Sequence, residues 1–214
     1  MDFGRSFSFV FEDSDWLKKV GIMALVTLIP VIGQFVLIGW GAEIIRRVVR
    51  GADTPLPELD FGEQLGDGFK LFVIALVYSL PIIVLSIIMG GLTAVAASVM
   101  DYDTAQIIGV ISSICFGGII ILYSIVLVLI LPAAYGNFAM KGNIADGLRI
   151  GELFGYVKNN ISAYLIVLLG TIVASFVASL GSIACGIGIL LTTVYANAMM
   201  MHLYGQAYKK SVQA

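Results

Sequence analysis

Four apolar runs, at 71–98, 105–140, 161–180 and 187–208, each supply the roughly 20 residues that cross a bilayer as a helix. Lipid offers no partner for a bare backbone N–H or C=O, so spanning segments are helices or closed barrels. These runs are too long and unbroken to be barrel strands. The pattern therefore predicts an all-α integral membrane protein. Pro132 and the pair Gly117-Gly118 interrupt the second run, and the proline should kink it because it removes a backbone donor. A shorter stretch at 16–29 has only 14 residues, about 21 Å at 1.5 Å per residue, before Pro30-Val31-Ile32-Gly33 breaks it. Either this first helix turns back inside the membrane as a re-entrant hairpin, or one bent helix spans 16–47.

Polar positions divide the chain, as one membrane domain over 1–214, into three units at 1–51, 61–142 and 150–210. Each is an amphipathic lead-in followed by two apolar helices, so the predicted bundle has three helical hairpins: four full transmembrane helices plus the short re-entrant N-terminal pair. The lead-ins Phe3-Gly4-Arg5-Ser6-Phe7, Phe61-Gly62-Glu63-Gln64-Leu65 and Ile150-Gly151-Glu152-Leu153-Phe154 each place apolar residues four apart, on one side of a helical turn. They are expected on the inner headgroup layer, with Ser14 or Asp15 capping the helix that follows the first. The returning helices share an aromatic residue followed by two small or Asn residues: Trp40-Gly41-Ala42, Tyr135-Gly136-Asn137 and Tyr195-Ala196-Asn197. Small residues let helix backbones approach and Asn bonds across the interface, so packing explains the triplets. The alternative is that all three line one pocket. The polar loop at 51–60, with Pro55, Pro57 and three acids, is expected in the cytoplasm.

Composition sharpens this picture. The chain is 59% hydrophobic and 12% charged with a mean hydropathy of +1.00, against about a quarter charged residues in soluble domains. All twelve basic residues, Arg5, Lys18, Lys19, Arg46, Arg47, Arg50, Lys70, Lys141, Arg149, Lys158, Lys209 and Lys210, flank ends of apolar segments that can face one side. The hydrophilic far-side turn, Asp101-Tyr102-Asp103, is purely acidic. By the positive-inside rule both termini are cytoplasmic. One bent span over 16–47 would separate Lys18 and Lys19 from Arg46, Arg47 and Arg50, whereas the re-entrant hairpin keeps all twelve together. Its irregular tip at 30–33 should then be covered by the other units. The acidic, aromatic N-terminal stretch is not a cleavable signal peptide, and no basic block calls for nucleic acid.

Chemistry-bearing residues are sparse. Glu43 stands three and four residues before Arg46 and Arg47, the spacing of an intrahelical ion pair; a ligand or proton role is the alternative for an acid beside the membrane. Met199, Met200, Met201 and the single His202 suit Cu(I) by ligand type, although no matching cluster stands on the far side to receive an ion. Cys115 and Cys185 read as packed thiols or as one disulfide. No metalloprotease, nucleophile-elbow or phosphate-loop pattern occurs, so no cofactor or enzymatic reaction is expected. Candidate ligand-facing residues are Glu43, Arg46, Arg47, Asn137, Asn197 and His202.

The segments Phe-Glu-Asp-Ser-Asp-Trp-Leu-Lys-Lys at 11–19, Ile-Pro-Val-Ile-Gly at 29–33, Ile-Ile-Arg-Arg-Val-Val-Arg-Gly at 44–51 and His-Leu-Tyr-Gly-Gln-Ala-Tyr at 202–208 resemble an uncharacterised prokaryotic membrane family, domain-of-unknown-function family 4013. That resemblance implies a bacterial or archaeal plasma membrane and a compact multi-helix domain, and carries over no reaction. In layout only, the chain is also similar to the membrane domains attached to some glycerophosphodiester phosphodiesterases. The expected function is a non-enzymatic scaffold or accessory subunit of a membrane assembly, or a lipid-organising domain, with membrane lipids and other membrane-protein subunits as partners. The alternative is a small transporter or channel for a lipid or amphiphile, which requires Glu43, Asn137 and Asn197 to converge on one cavity.

Overall fold

A computed structural model of the chain describes residues 1–54, 56–184 and 187–213. The secondary structure there is helical: α1 (Arg5–Ser8) followed by a 3-10 turn at Phe9–Glu12, α2 (Trp16–Val26), α3 (Ile32–Arg50), α4 (Phe61–Val99), α5 (Tyr102–Lys141), α6 (Ile144–Gly147), α7 (Ile150–Asn159), α8 (Ile161–Leu180), a 3-10 turn at Gly181–Ala184, and α9 (Ile187–Gln213). Three of these, α4, α5 and α8, are long and apolar enough to cross a membrane. The apolar run at 187–208 lies in α9, which is less apolar and not among those three. The chain makes two compact units, Met1–Ile74 with Leu129–Ala214, and Ala75–Val128.

The core of the first unit is organised by α9, which buries Val194, Ala196, Ala198, Met199, Met201, Leu203, Tyr204, Ala207 and Tyr208. Helices approach it where side chains are missing. Gly41 of α3 lies against Met201 and Asn197, Gly205 of α9 against Val48 and Ile45, Gly136 of α5 against Tyr208, and Gly170 of α8 against Leu203. The tightest crossing joins α3 to the start of α4, where a Cβ on Gly39 would strike the Gln64 carbonyl and one on Gly68 the Phe35 carbonyl. Two of the aromatic triplets therefore put their central glycine at a helix contact, and Ala196 of the third is buried.

Several local expectations are corrected. The second lead-in is not a separate element: Asp60 caps α4 through the Glu63 N–H at 3.1 Å, and despite Gly62, Gly66 and Gly68 the helix runs unbroken from Phe61 into the apolar run. The third lead-in does stand alone as α7. In the first, Phe9 and Val10 are fully buried rather than laid on headgroups. Neither Ser14 nor Asp15 supplies a side-chain cap for α2; Asp13 instead turns the chain just before the helix, its Oδ1 accepting from the Asp15 N–H at 2.9 Å and its carbonyl from the Trp16 N–H at 3.1 Å. Pro81 and Pro132 both lie inside continuous helices.

In the turn between α2 and α3, Leu28, Ile29, Val31 and Ile32 are exposed. The turn pairs much of its own backbone. The N–H groups of Leu28, Ile29, Ile32, Gly33 and Phe35 donate to Leu25, Val26, Pro30, Ile29 and Val31 carbonyls, and Pro30 has no donor to satisfy. The constraint falls on the backbone instead: Val31 sits at φ 65, and any Cβ on Gly33 would strike the Val26 carbonyl.

In the second unit, Ala75–Val128, the buried residues are Tyr78, Ala96, Ser112 and Leu127. Tyr123 Oη donates to the Tyr78 carbonyl at 2.9 Å. Several hydroxyls bond back into their own helix, Ser79 to Ala75, Thr93 to Met89, Ser113 to Gly109 and Ser124 to Ile120. A hydroxyl bonded this way can face hydrocarbon without an orphaned proton.

Gly39→Ala should lower the thermal midpoint of the detergent-solubilised chain by the equivalent of about 1–3 kcal/mol of overpacking. Gly91→Ala, where a Cβ would meet open space, should leave the midpoint unchanged or raise it. Equal responses of the two variants would remove the close crossing.

Candidate functional site

The C-terminal half of α3 places Glu43, Arg46 and Arg47 together, and Gly51 ends the helix with a left-handed φ of 74 that lets the Ala52 N–H reach back to the Arg47 carbonyl at 2.9 Å. The chain then crosses the end of α3. Leu56 is fully buried, and its carbonyl accepts from Arg47 Nη1 at 3.3 Å and Lys19 Nζ at 3.2 Å. The neighbouring Pro57 carbonyl accepts from Trp40 Nε1 at 3.0 Å. The loop expected to be the most water-loving stretch is thus pinned at its centre by backbone acceptors.

Arg46 is the hub. Its Nη2 pairs with Asp67 Oδ2, its Nη1 with Glu43 Oε2 at 3.1 Å and Glu63 Oε1 at 3.4 Å, and its Nε donates to the Ala139 carbonyl at 2.8 Å. Glu43 also takes Arg47 Nε at 3.1 Å, and Asp67 takes Lys70 Nζ at 3.2 Å. The ion pair expected from the i+3 and i+4 spacing therefore forms, within a wider network. Around it lies a pocket of about 300 Å³ bounded by Gly39 and Glu43 of α3, the 57–60 segment, and Glu63, Gln64 and Asp67 of α4, with Arg46 and Arg47 in its wall.

The other candidates stand elsewhere. Asn137 is wholly buried; its Nδ2 donates to the Asp146 carbonyl at 2.8 Å and its Oδ1 accepts from Tyr208 Oη at 3.0 Å. Asn197 faces Gly41 across the α3–α9 contact, with its Oδ1 buried and unpartnered. His202 stacks on Phe9 with ring centroids 4.2 Å apart. Gln206 Oε1 accepts the Asp2 N–H at 2.7 Å, which turns its Nε2 toward His202 Nδ1 at 3.1 Å, so Nδ1 is an acceptor and Ser6 Oγ donates to it at 2.9 Å. His202 lines a separate pocket of about 380 Å³ with Arg5, Asp53 and Lys209. Glu43, Asn137 and Asn197 thus do not meet in one cavity.

Met199 is buried with Ala174 and Ala196, away from the stacked His202 ring. Among the described residues no group of three or more His, Cys, Asp or Glu residues could hold a metal ion. Cys115 is a free, exposed thiol, and Cys185 lies outside the described residues.

Two carboxylates near the ends of the helices are shifted down. Lys141 donates to Glu152 Oε1 at 2.7 Å and Tyr156 Oη donates at 2.6 Å, holding Glu152 below the ordinary glutamate value of 4.5. Burial would raise Asp13, but the hydrogen bond from Lys19 at 2.7 Å and that from the Asp15 N–H together bring it below its ordinary value of 3.8.

Composition and periodicity did not single out Lys19, Leu56, Gln64 or Asp67. The usable signal for the last two was their i, i+3 spacing on the first turns of α4, which puts both on the face that carries Gly68.

Long apolar helices, a core closed by glycine contacts and a charged cluster at one end of α3 define an all-α membrane-type protein. The chain belongs to the family described as "Protein of unknown function (DUF4013)", whose model matches residues 22–187. No curated protein and no solved structure matches the chain.

Arg46→Met should destabilise the protein by about 3 kcal/mol, because it removes the buried guanidinium shared by Asp67 and Glu43 and leaves Asp67 only the more exposed Lys70. Adding Asp67→Asn should recover part of the loss in the same thermal melts. Because Glu152 titrates lower in the folded chain, its stabilisation is complete above the unfolded value and disappears as pH falls from about 4.5 through the folded value. Melting midpoints measured across that acid range should fall less steeply in Glu152→Gln than in the parent.

Proposed function

We propose that this chain is a non-enzymatic integral membrane protein of the prokaryotic plasma membrane, acting as a scaffold or accessory subunit of a membrane assembly and organising lipid around it. In this reading both termini and the 51–60 segment face the cytoplasm, α8 and α9 form the last pair of spans, and α2 and α3 form a short re-entrant hairpin. The basic residues at helix ends would then lie against anionic headgroups.

The observation that carries the proposal is the bare surface of Ala75–Val128. Ile87, Val95, Ile114, Ile121 and Leu122 are each at least 60% exposed, and the hydroxyls between them are turned inward onto carbonyls. Apolar exposure on this scale calls for lipid or another protein as its cover. A conduit is not favoured, since the polar residues it needs are dispersed.

Photo-crosslinking amino acids placed at Ile87, Ile114 and Leu122 in native membranes test this. One helix face should yield a discrete adduct with a membrane protein, or the chain extracted in mild detergent should retain phospholipid in native mass spectra. Recovery as a lone, lipid-free chain without adducts at any position would overturn the proposal.

A further inference from the structure

His202 is 4% exposed, and it lines the pocket of about 380 Å³ that it shares with Arg5, Asp53, Gln206 and Lys209. One side of its ring is accounted for. Nδ1 accepts from Gln206 Nε2 at 3.1 Å and from Ser6 Oγ at 2.9 Å, so the proton of the neutral ring is on Nε2. That Nε2–H meets no acceptor among the described residues, and unlike the orphaned Asn197 Oδ1 it keeps accessible surface. The ring cannot turn to find a partner, because it is anchored through Nδ1 and stacked on Phe9 with centroids 4.2 Å apart. The same pocket holds other unused donors. Lys209 Nζ reaches only the Val48 carbonyl, at 3.4 Å, and among the described residues no carboxylate stands within ion-pair distance of it. Arg5 gives one nitrogen, Nη2, to Glu12 at 3.2 Å and keeps Nη1 and Nε free. Two acids also line the pocket: Asp2, whose Oδ1 is taken by the Arg5 N–H at 2.9 Å, and Asp53, which is exposed and therefore screened by water.

We propose that this pocket binds a phosphate group, carried by a phospholipid headgroup or by a soluble phosphate, with the His202 Nε2–H donating to one oxygen and Lys209 and Arg5 to others. A phosphate offers several acceptor oxygens on one centre, which is what donors from three different side chains require. A metal ion is the wrong complement, since the ring presents a proton to the pocket rather than a lone pair. A cavity of about 380 Å³ lies within the range of small-molecule sites. Asp53 opposes an anion, so its removal acts with the opposite sign to removal of Lys209. The inference is independent of the scaffold proposal, which stands or falls on the Ala75–Val128 surface.

His202 is the single histidine of the chain, so ¹⁵N-histidine labelling reads this site directly by NMR. The full chain, delipidated in a maltoside detergent that carries no phosphate, should show a protonated Nε2. Its resonance should move saturably with inorganic phosphate or with short-chain phosphatidylglycerol, and not with chloride at equal ionic strength or with short-chain diacylglycerol. Lys209→Gln should weaken binding about tenfold, as expected for one lost charge-assisted hydrogen bond. Asp53→Asn should tighten it, and Lys18→Gln, which removes a base outside the pocket, should leave it unchanged; melting midpoints of the variants verify their fold. A response to inorganic phosphate assigns the site to a soluble phosphate, and a response to phosphatidylglycerol alone assigns it to a lipid headgroup. A proton on Nδ1, no response to either phosphate, or a response that Lys209→Gln leaves intact overturns the proposal.

Discussion

A helix backbone can lie against a neighbouring carbonyl only where no Cβ intervenes, and the α3–α4 crossing at Gly39 and Gly68 is built on that constraint. Its consequence is register. On α3, Glu43 and Arg46 follow Gly39 at i+4 and i+7, on the glycine's own face; on α4, Gln64 and Asp67 precede Gly68 on the face that meets it. Once the two glycines touch, Arg46 and Asp67 are brought into pairing distance and the Gln64 amide is carried into the pocket wall. The polar cluster follows from a backbone contact rather than causing it.

The energetics run the same way. Arg46 and Asp67 are largely removed from water, with side chains 12% and 9% exposed, and the desolvation of such a pair consumes most of its Coulombic attraction. Their weight lies in specificity: a one-residue slip of α4 would part Arg46 from Asp67 and leave each only the partner on its own helix, Glu43 and Lys70. The Arg46 bond to the Ala139 carbonyl extends the same control to the last turns of α5. Leu56 does so for the loop, since its carbonyl is the shared acceptor of Arg47 and Lys19.

Local physics was legible in the sequence where one helix or one turn decides it. The long apolar runs, the break at 30–33 and the Glu43 pairing with Arg46 and Arg47 all follow from spacing within a single element. Contacts between distant segments were not legible. The Phe9 stack on His202 joins residues at opposite ends of the chain, and nothing in either neighbourhood announces it. The expectation of a covered tip at 30–33 equated irregular backbone with unsatisfied backbone, whereas much of this turn bonds to itself and proline removes one donor. The fused start of α4 shows a third kind of miss. Gly62, Gly66 and Gly68 suggest a break, yet Gly68 is held by its contact with Phe35, so tertiary packing outweighs the helix propensity that glycine lacks.

Helix length constrains how such a protein sits in lipid. From 71 to 99, α4 carries no charge, and 29 residues rise about 43 Å, whereas α8, with 20 residues, rises about 30 Å. A hydrocarbon core is about 30 Å thick, and about 40–45 Å with headgroups. Tilt alone would need to exceed about 40° to hide all of this stretch of α4 in hydrocarbon, beyond the usual range. Its far end therefore belongs in the headgroup layer, where Ser98 and Met100 precede Asp101. Asp101 caps α5 there, accepting from the Thr104 N–H at 2.9 Å, and the capping bonds hold the carboxylate below its ordinary value of 3.8. An ionised cap suits water or headgroups and not hydrocarbon, which agrees with the depth that the length of a membrane-crossing α4 would give it.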